Sequence, residues 1–228
     1  MAVLFISRSM TFTGASTILP NDPMLTLPHR ILGGKPKDWD SRNGDKIVSG
    51  DATAWKQLFA LAPRASEPEI WAKIPHLLNV EAFADYMILN LYGSNGDWDG
   101  SSNWYSGRRR KPAGGHLFFV WDGERTLEGL YDTRLNEEAE GSPSWLFQRL
   151  RLNSAFKDIF KLRAALHLNL GGALSPVVAG GRFKDLADQL EPAMARKRRV
   201  GVTTEQPSIL IRLARSSTIA WKNTGSRR

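Results

Sequence analysis

The most regular apolar spacing in the chain lies in NVEAFADYMILNLYG, residues 79–93. Val80, Phe83, Met87 and Leu91 recur every three or four positions, which predicts one buried face of an α-helix. Asn79 stands where a capping side chain is needed and Gly93 where a helix stops. Upstream, SGDATAWKQLFALA (49–62) puts Trp55, Leu58, Phe59 and Leu61 on an apolar face behind Ser49 or Asp51 as cap. SEPEIWAKIPHLL (66–78) opens like a helix, with Ser66 as cap and Pro68 in its first turn, and Pro75 disturbs its end. Past Gly93 the helical period is lost. NWYSG and HLFFVWD predict two strands joined by an Arg/Gly-rich tip. DGERTLEGLYDTRLNEEAEGS (122–142) predicts a long polar loop, and helical patterns follow at 142–151, 153–168 and 174–195. Residues 1–34 show no clear period and no repeat is visible. The order of helices, hairpin, long loop and helices predicts an α+β fold. Phe83, Met87, Leu89, Leu117, Phe119 and Trp145 are its expected core.

Composition changes this picture little. The chain has 228 residues, 42% of them hydrophobic, enough for one sizeable core. It has no cysteine, which excludes disulfides and thiolate metal sites. No run of 18 apolar residues exists, so no membrane-spanning helix is expected, and MAVLFISRSMTFTGAS lacks the basic n-region of a signal peptide. The compartment stays unassigned. The net charge of +8 changes meaning once located: nine Lys/Arg and one Glu lie from Arg196 onward. The rest of the chain is neutral. The tail therefore predicts a solvated, poorly ordered segment rather than a nucleic-acid arm.

Candidate chemistry concentrates in NGDWDGSSNWY, residues 95–105, between the strongest helix and the first hairpin strand. Asn95, Asp97, Asp99 and Gly100 match positions 1, 3, 5 and 6 of a calcium loop, but Ser106 stands where a bidentate Glu is needed and a strand pattern follows. A phosphoryl-transfer loop uses more of the chain. Asp97 follows a long helix, Asn103 comes six residues later, and Asp122 closes the strand LFFVW. A base and two oxygen donors for Mg²⁺ are the parts that ATP-dependent transfer needs. The same residue types also hold ordinary turns, and spacing alone leaves the three readings open. Asp132 and Arg134 lie in the long loop where a substrate role competes with simple solvation, and His76, His116 and His167 show no metal-ligand spacing.

The stretches FADYMILNLYGSNGDWDGSSNWYSGRRR and GGHLFFVWDGERTLEG resemble the CotH kinase family, bacterial relatives of spore-coat protein H. The resemblance runs from about Gly33 to about Ala195 and includes GSPSWLFQRLRLNSAF and LNLGGALSP. It implies a protein-kinase-like fold, mainly the helical C-lobe with a catalytic-loop β-hairpin and an incomplete N-lobe. It also implies ATP and Mg²⁺ as cofactors and protein substrates phosphorylated on Ser or Thr. By motif, Asp97 would be the catalytic base. Asn103 and Asp122 would hold the metal, and Asn95 would buttress the loop beside the cofactor. The DGSS run is one residue longer than the family pattern. Family members are often exported or surface-associated.

No Gly-rich phosphate loop and no Lys–Glu pair of an N-lobe can be named, so the chain is expected to be truncated and inactive as it stands. Both ends lose periodicity and gain basic bias. Residues of roughly 1–32 are expected to be an atypical segment, and the resemblance implies that roughly 1–31 and 197–228 are out-of-frame readings, since stretches similar to the family's, read one base late, would yield STILPNDPML (17–26) and GVTTEQP (201–207); the nucleotide sequence in all three frames would check this. Residues 196–228 are the expected basic tail. A catalytically dead interaction domain on the same scaffold is the alternative function, and a calcium-loop binding module the third.

Overall fold

In the computed structural model, the described residues are 28, 32–100, 103–129 and 132–199. The chain is a mixed α+β protein that divides into two compact units, residues 1–163 and 164–228. The first unit is built on one antiparallel sheet of four strands in the order β2-β1-β3-β4. β1 is Trp39–Asn43, β2 Lys46–Ser49, β3 Trp104–Arg109 and β4 Leu117–Val120. Its helices are α1 (Thr53–Leu61), α2 (Pro68–Trp71), α3 (Val80–Tyr92), α4 (Pro143–Leu150) and most of α5 (Ser154–Leu168). The second unit holds the end of α5 and α6 (Pro176–Arg199). Among the described residues no helix is long and apolar enough to cross a membrane.

The expected hairpin exists, with Trp104 opposite Val120 and Ser106 opposite Phe118. The β1–β2 hairpin beside it is an addition to the sequence reading. Its signal is Asn43-Gly44 between two short strands, with Gly44 at φ 51, the backbone such a turn demands. The strands escaped notice because WDSRN and KIVS carry little apolar alternation.

Helix caps explain most boundaries. Asn79 accepts the Ala82 amide at 3.0 Å and Ser142 accepts that of Trp145 at 3.3 Å. α1 starts later than expected, after Ala52, yet Asp51 still takes the Thr53 amide at 2.8 Å. Gly93 ends α3 in a right-handed conformation, and Ser94, at φ 44, makes the left-handed step instead. The helix expected over 66–78 is broken. α2 is four residues long behind Glu67, not Ser66, and Pro75 sits in a separate 3-10 turn, Ile74–His76. α6 runs to Arg199, so residues 196–199, expected in a disordered tail, are helical. Residues 200–228 and 1–27 lie outside the described residues.

The core of the first unit is aromatic. Phe83 and Tyr86 of α3 meet Phe118 of β4 at ring distances of 5.0 and 5.5 Å, and Trp55 stacks on Trp104 at 5.5 Å. Phe83 and Met87 are fully buried as expected, and Leu89 and Trp145 are half-buried. The face of β4 is shifted by one residue from expectation: His116 and Phe118 point inward, while Leu117 and Phe119 are half-buried on the other face. A one-residue slip exchanges the two faces of a strand. The continuous apolar run HLFFVW gave no alternation from which to choose. Gly115 is required beside it, since a Cβ there would lie 2.5 Å from the Asn79 amide nitrogen. That close approach lets His116 exchange backbone hydrogen bonds with Leu77 and Asn79 at 2.7 and 3.0 Å.

His116 is buried, not at the core's edge, and its Nδ1 meets Ser106 Oγ at 3.0 Å. Burial above all, with Arg108 and Arg42 adding, pushes its pKa down to about 3. In the unfolded chain a histidine titrates near 6.5. Between those values the unfolded state binds the extra proton. Stability is therefore full above pH ~6.5 and falls as the pH drops toward 3, by up to about 1.4 kcal/mol per unit. Urea unfolding at pH 7 and pH 5 should show this loss, and His116→Gln should flatten it. Equal slopes in the two proteins would assign the acid sensitivity elsewhere.

Candidate functional site

The loop after α3 is held by a division of labour among its side chains. Asn95 is fully buried and turns back to the helix, donating to Asn90 Oδ1 at 3.1 Å, while its backbone amide reaches Asn90 O at the same distance. Trp98 is buried against Tyr86, with ring centroids 6.2 Å apart. Asp99 leaves in another direction and accepts from Ser144 N at 3.2 Å, Ala139 N at 3.3 Å and Ser144 Oγ. A carboxylate at the first turn of α4 meets free amides and the positive end of the helix dipole. Asn103 donates its amide to the Asp97 carbonyl at 3.1 Å and so closes the loop on itself.

Asp97 differs from its neighbours. It is half-buried, and its Oδ1 is sealed from solvent without a hydrogen-bond partner. The buried Oδ1 of Asn95 is also unpartnered. Unpaired buried acceptors carry a desolvation cost that a bound cation or donor would relieve.

The segment after β4 packs along the same loop. Gly96 donates its amide to Arg125 O at 2.6 Å and Leu127 donates to Gly93 O at 2.7 Å. Asp122 is exposed at φ 51, and a Cβ on the next residue, Gly123, would stand 3.7 Å from Asn95 Nδ2. Asp97 adds to the electrostatic field that raises the Arg125 pKa, after the larger effect of Glu128. Among the described residues the non-glycine positions at positive φ are Ser94, Asp122 and Leu127. All three lie in these two segments, and strained backbone concentrates where a structure serves a site.

The structure thus ties Asn103 to Asp97 directly and brings Asn95 close to Gly123, the residue after Asp122. The arrangement differs from that of a calcium loop. Asn95 is committed to α3 and Asp99 to α4, and the residues that follow form β3 rather than a helix. Among the described residues no group of three His, Cys, Asp or Glu is placed to hold a metal ion. The expected magnesium ligands, Asn103 and Asp122, are not a group of that kind. Their hard oxygen donors suit Mg²⁺, and the unpartnered Asp97 Oδ1 lacks the donor that a hydroxyl would supply. Sequence reasoning missed the Asp99 clamp, because its partners are 40 and 45 residues away. Arg134, for which a substrate role competed with simple solvation, is half-buried: its Nη2 would lie 3.5 Å from a Cβ on Gly96 and its Nη1 pairs with Glu137 at 3.2 Å.

A family model described as CotH kinase protein matches residues 29–218, beginning before Gly33 and ending after Ala195. No curated protein and no solved structure matches the chain.

Proposed function

We propose that this chain, which belongs to the CotH kinase family, carries an ATP- and Mg²⁺-dependent phosphotransfer site that acts on Ser/Thr hydroxyls of protein substrates. Family membership supplies the kinase type, with ATP and a metal in general, and the protein-kinase-like fold as an implication. The observation that carries the rest is Asp97. In a loop whose Asn95, Trp98 and Asp99 are committed to structure, it is the carboxylate that keeps a buried oxygen unpartnered.

In this reading Asp97 accepts the proton of the substrate hydroxyl as that oxygen bonds to the γ-phosphorus and the bond to ADP breaks. Asn103 and Asp122 would hold Mg²⁺, which supplies charge neutralisation at the phosphates when bound. Asn95 sets the height of the loop against α3, beside Gly123.

Mn²⁺ serves as a spectroscopic stand-in for Mg²⁺. Titration followed by the electron paramagnetic resonance of free Mn²⁺ should show binding, and Asp122→Ala should weaken it by at least about tenfold. Unchanged binding in that variant would remove Asp122 from the site. Mn²⁺ binding with no transfer of radiolabel from ATP is the signature of a catalytically dead interaction domain.

A further inference from the structure

The long segment between β4 and α4 is fastened to the candidate catalytic loop at two ends by different means. At its start the fastening is backbone to backbone, Gly96 to Arg125 and Leu127 to Gly93. At its end it is one ionisable side chain. Asp99 takes the Ala139 amide, the Ser144 amide and the Ser144 hydroxyl. Ser144 is itself tied to Ala139 N at 2.9 Å and to Ser142 Oγ at 3.0 Å, and Ser142 Oγ donates to Ala139 O at 2.6 Å. Asp99 is therefore the hub of a compact polar knot in which Ser142 and Ser144 are buried. Asp97 is two residues away, and the residue between them, Trp98, is 1% exposed. A shift of Asp97 toward a ligand must pass through this locked tryptophan into the Asp99 knot, because packed side chains transmit displacement rather than absorb it.

We propose that Asp99 is a positioning residue that couples occupancy of the Asp97–Asp122 site to the placement of residues 132–144, the segment it holds through Ala139 and Ser144. The inference rests on the metal-binding reading above. It goes further by giving the segment a job: the site's ligand fixes the arm against which a protein substrate lies. The knot is worth several hydrogen bonds to an ionised group, which are stronger than neutral ones. The neutral isostere made by Asp99→Asn would keep one acceptor oxygen and turn a donor toward the amides.

The test uses the full chain with Mn²⁺ as the probe, in the native protein, Asp99→Ala and Asp99→Asn. Binding is read by electron paramagnetic resonance, and exchange of backbone amides over 132–144 by mass spectrometry with and without the ion. In the native protein Mn²⁺ should slow exchange of the Ala139 and Ser144 amides by about tenfold. Asp99→Ala should still bind Mn²⁺, weakened by no more than the about tenfold coupling that is lost, while its exchange becomes insensitive to the ion. Asp99→Asn should fall between the two. A merely structural Asp99 would speed exchange in Asp99→Ala yet leave the ion's slowing effect in place, and that result overturns the proposal. Native protein that does not bind Mn²⁺ overturns the metal-binding reading and this inference with it.

Discussion

Asp97→Asn is expected to lower phosphotransfer from ATP by about 10²–10⁴-fold, the range over which a positioned general base acts. The substitution keeps size and loop geometry but removes the proton acceptor. Mn²⁺ affinity should change far less than in Asp122→Ala, because the role assigned to Asp97 is proton transfer and that assigned to Asp122 is holding the ion. The two variants thus divide the site. One should lose rate with the ion still bound, and the other should lose the ion. The structure favours this division through exposure: Asp122 is open to solvent at the end of β4, while one oxygen of Asp97 is closed off. Undiminished transfer by Asp97→Asn would return the loop to a plain polar turn.

The contrast to that experiment is Asp99→Asn, on a carboxylate two residues away whose expected effect is on the placement of residues 132–144 rather than on proton transfer. A sequence reader sees Asp97 and Asp99 as equivalent, both flanking Trp98 and both next to glycine. Their difference comes from partners 40 and more residues downstream, which no local pattern encodes. The same limit hid the bidentate pair of Arg163 with Asp85, formed across 78 residues between α5 and α3. What could be read was local. The α3 stripe and Asn79 cap, the Ser142 cap with Pro143 behind it, and the β3–β4 hairpin each carry their signal within a few residues. The β1–β2 hairpin had a local signal too, Asn43-Gly44, but its strands are short and polar. The direction of β4 had none, because apolar residues cover both its faces. Tyr105, fully buried opposite Phe119, shows that the second face is covered as well.

Phe83→Ala should be the most damaging substitution of the core, costing about 3–5 kcal/mol in unfolding free energy. Phe83 is fully buried and links three elements. Its ring lies 6.3 Å from Tyr86 along α3, 5.0 Å from Phe118 on β4 and 6.4 Å from Phe156 on α5. The neighbours are themselves large and held by further rings, so the space left by the side chain cannot be filled by small movements. Denaturant titration should show a lower midpoint at unchanged slope, the mark of lost stability without a change in the surface exposed. A loss below about 1 kcal/mol would mean that the site collapses freely and that α3 is not anchored through this residue. The consequence reaches the functional loop. Tyr86 packs on both Phe83 and Trp98, so a cavity at 83 loosens the tryptophan that separates Asp97 from Asp99. Mn²⁺ binding by the folded Phe83→Ala protein, measured well below its unfolding midpoint, should therefore weaken, although no atom of Phe83 belongs to the site. Binding at native strength in a protein destabilised by the full amount would show that the loop is held by Asn95 and Asp99 alone.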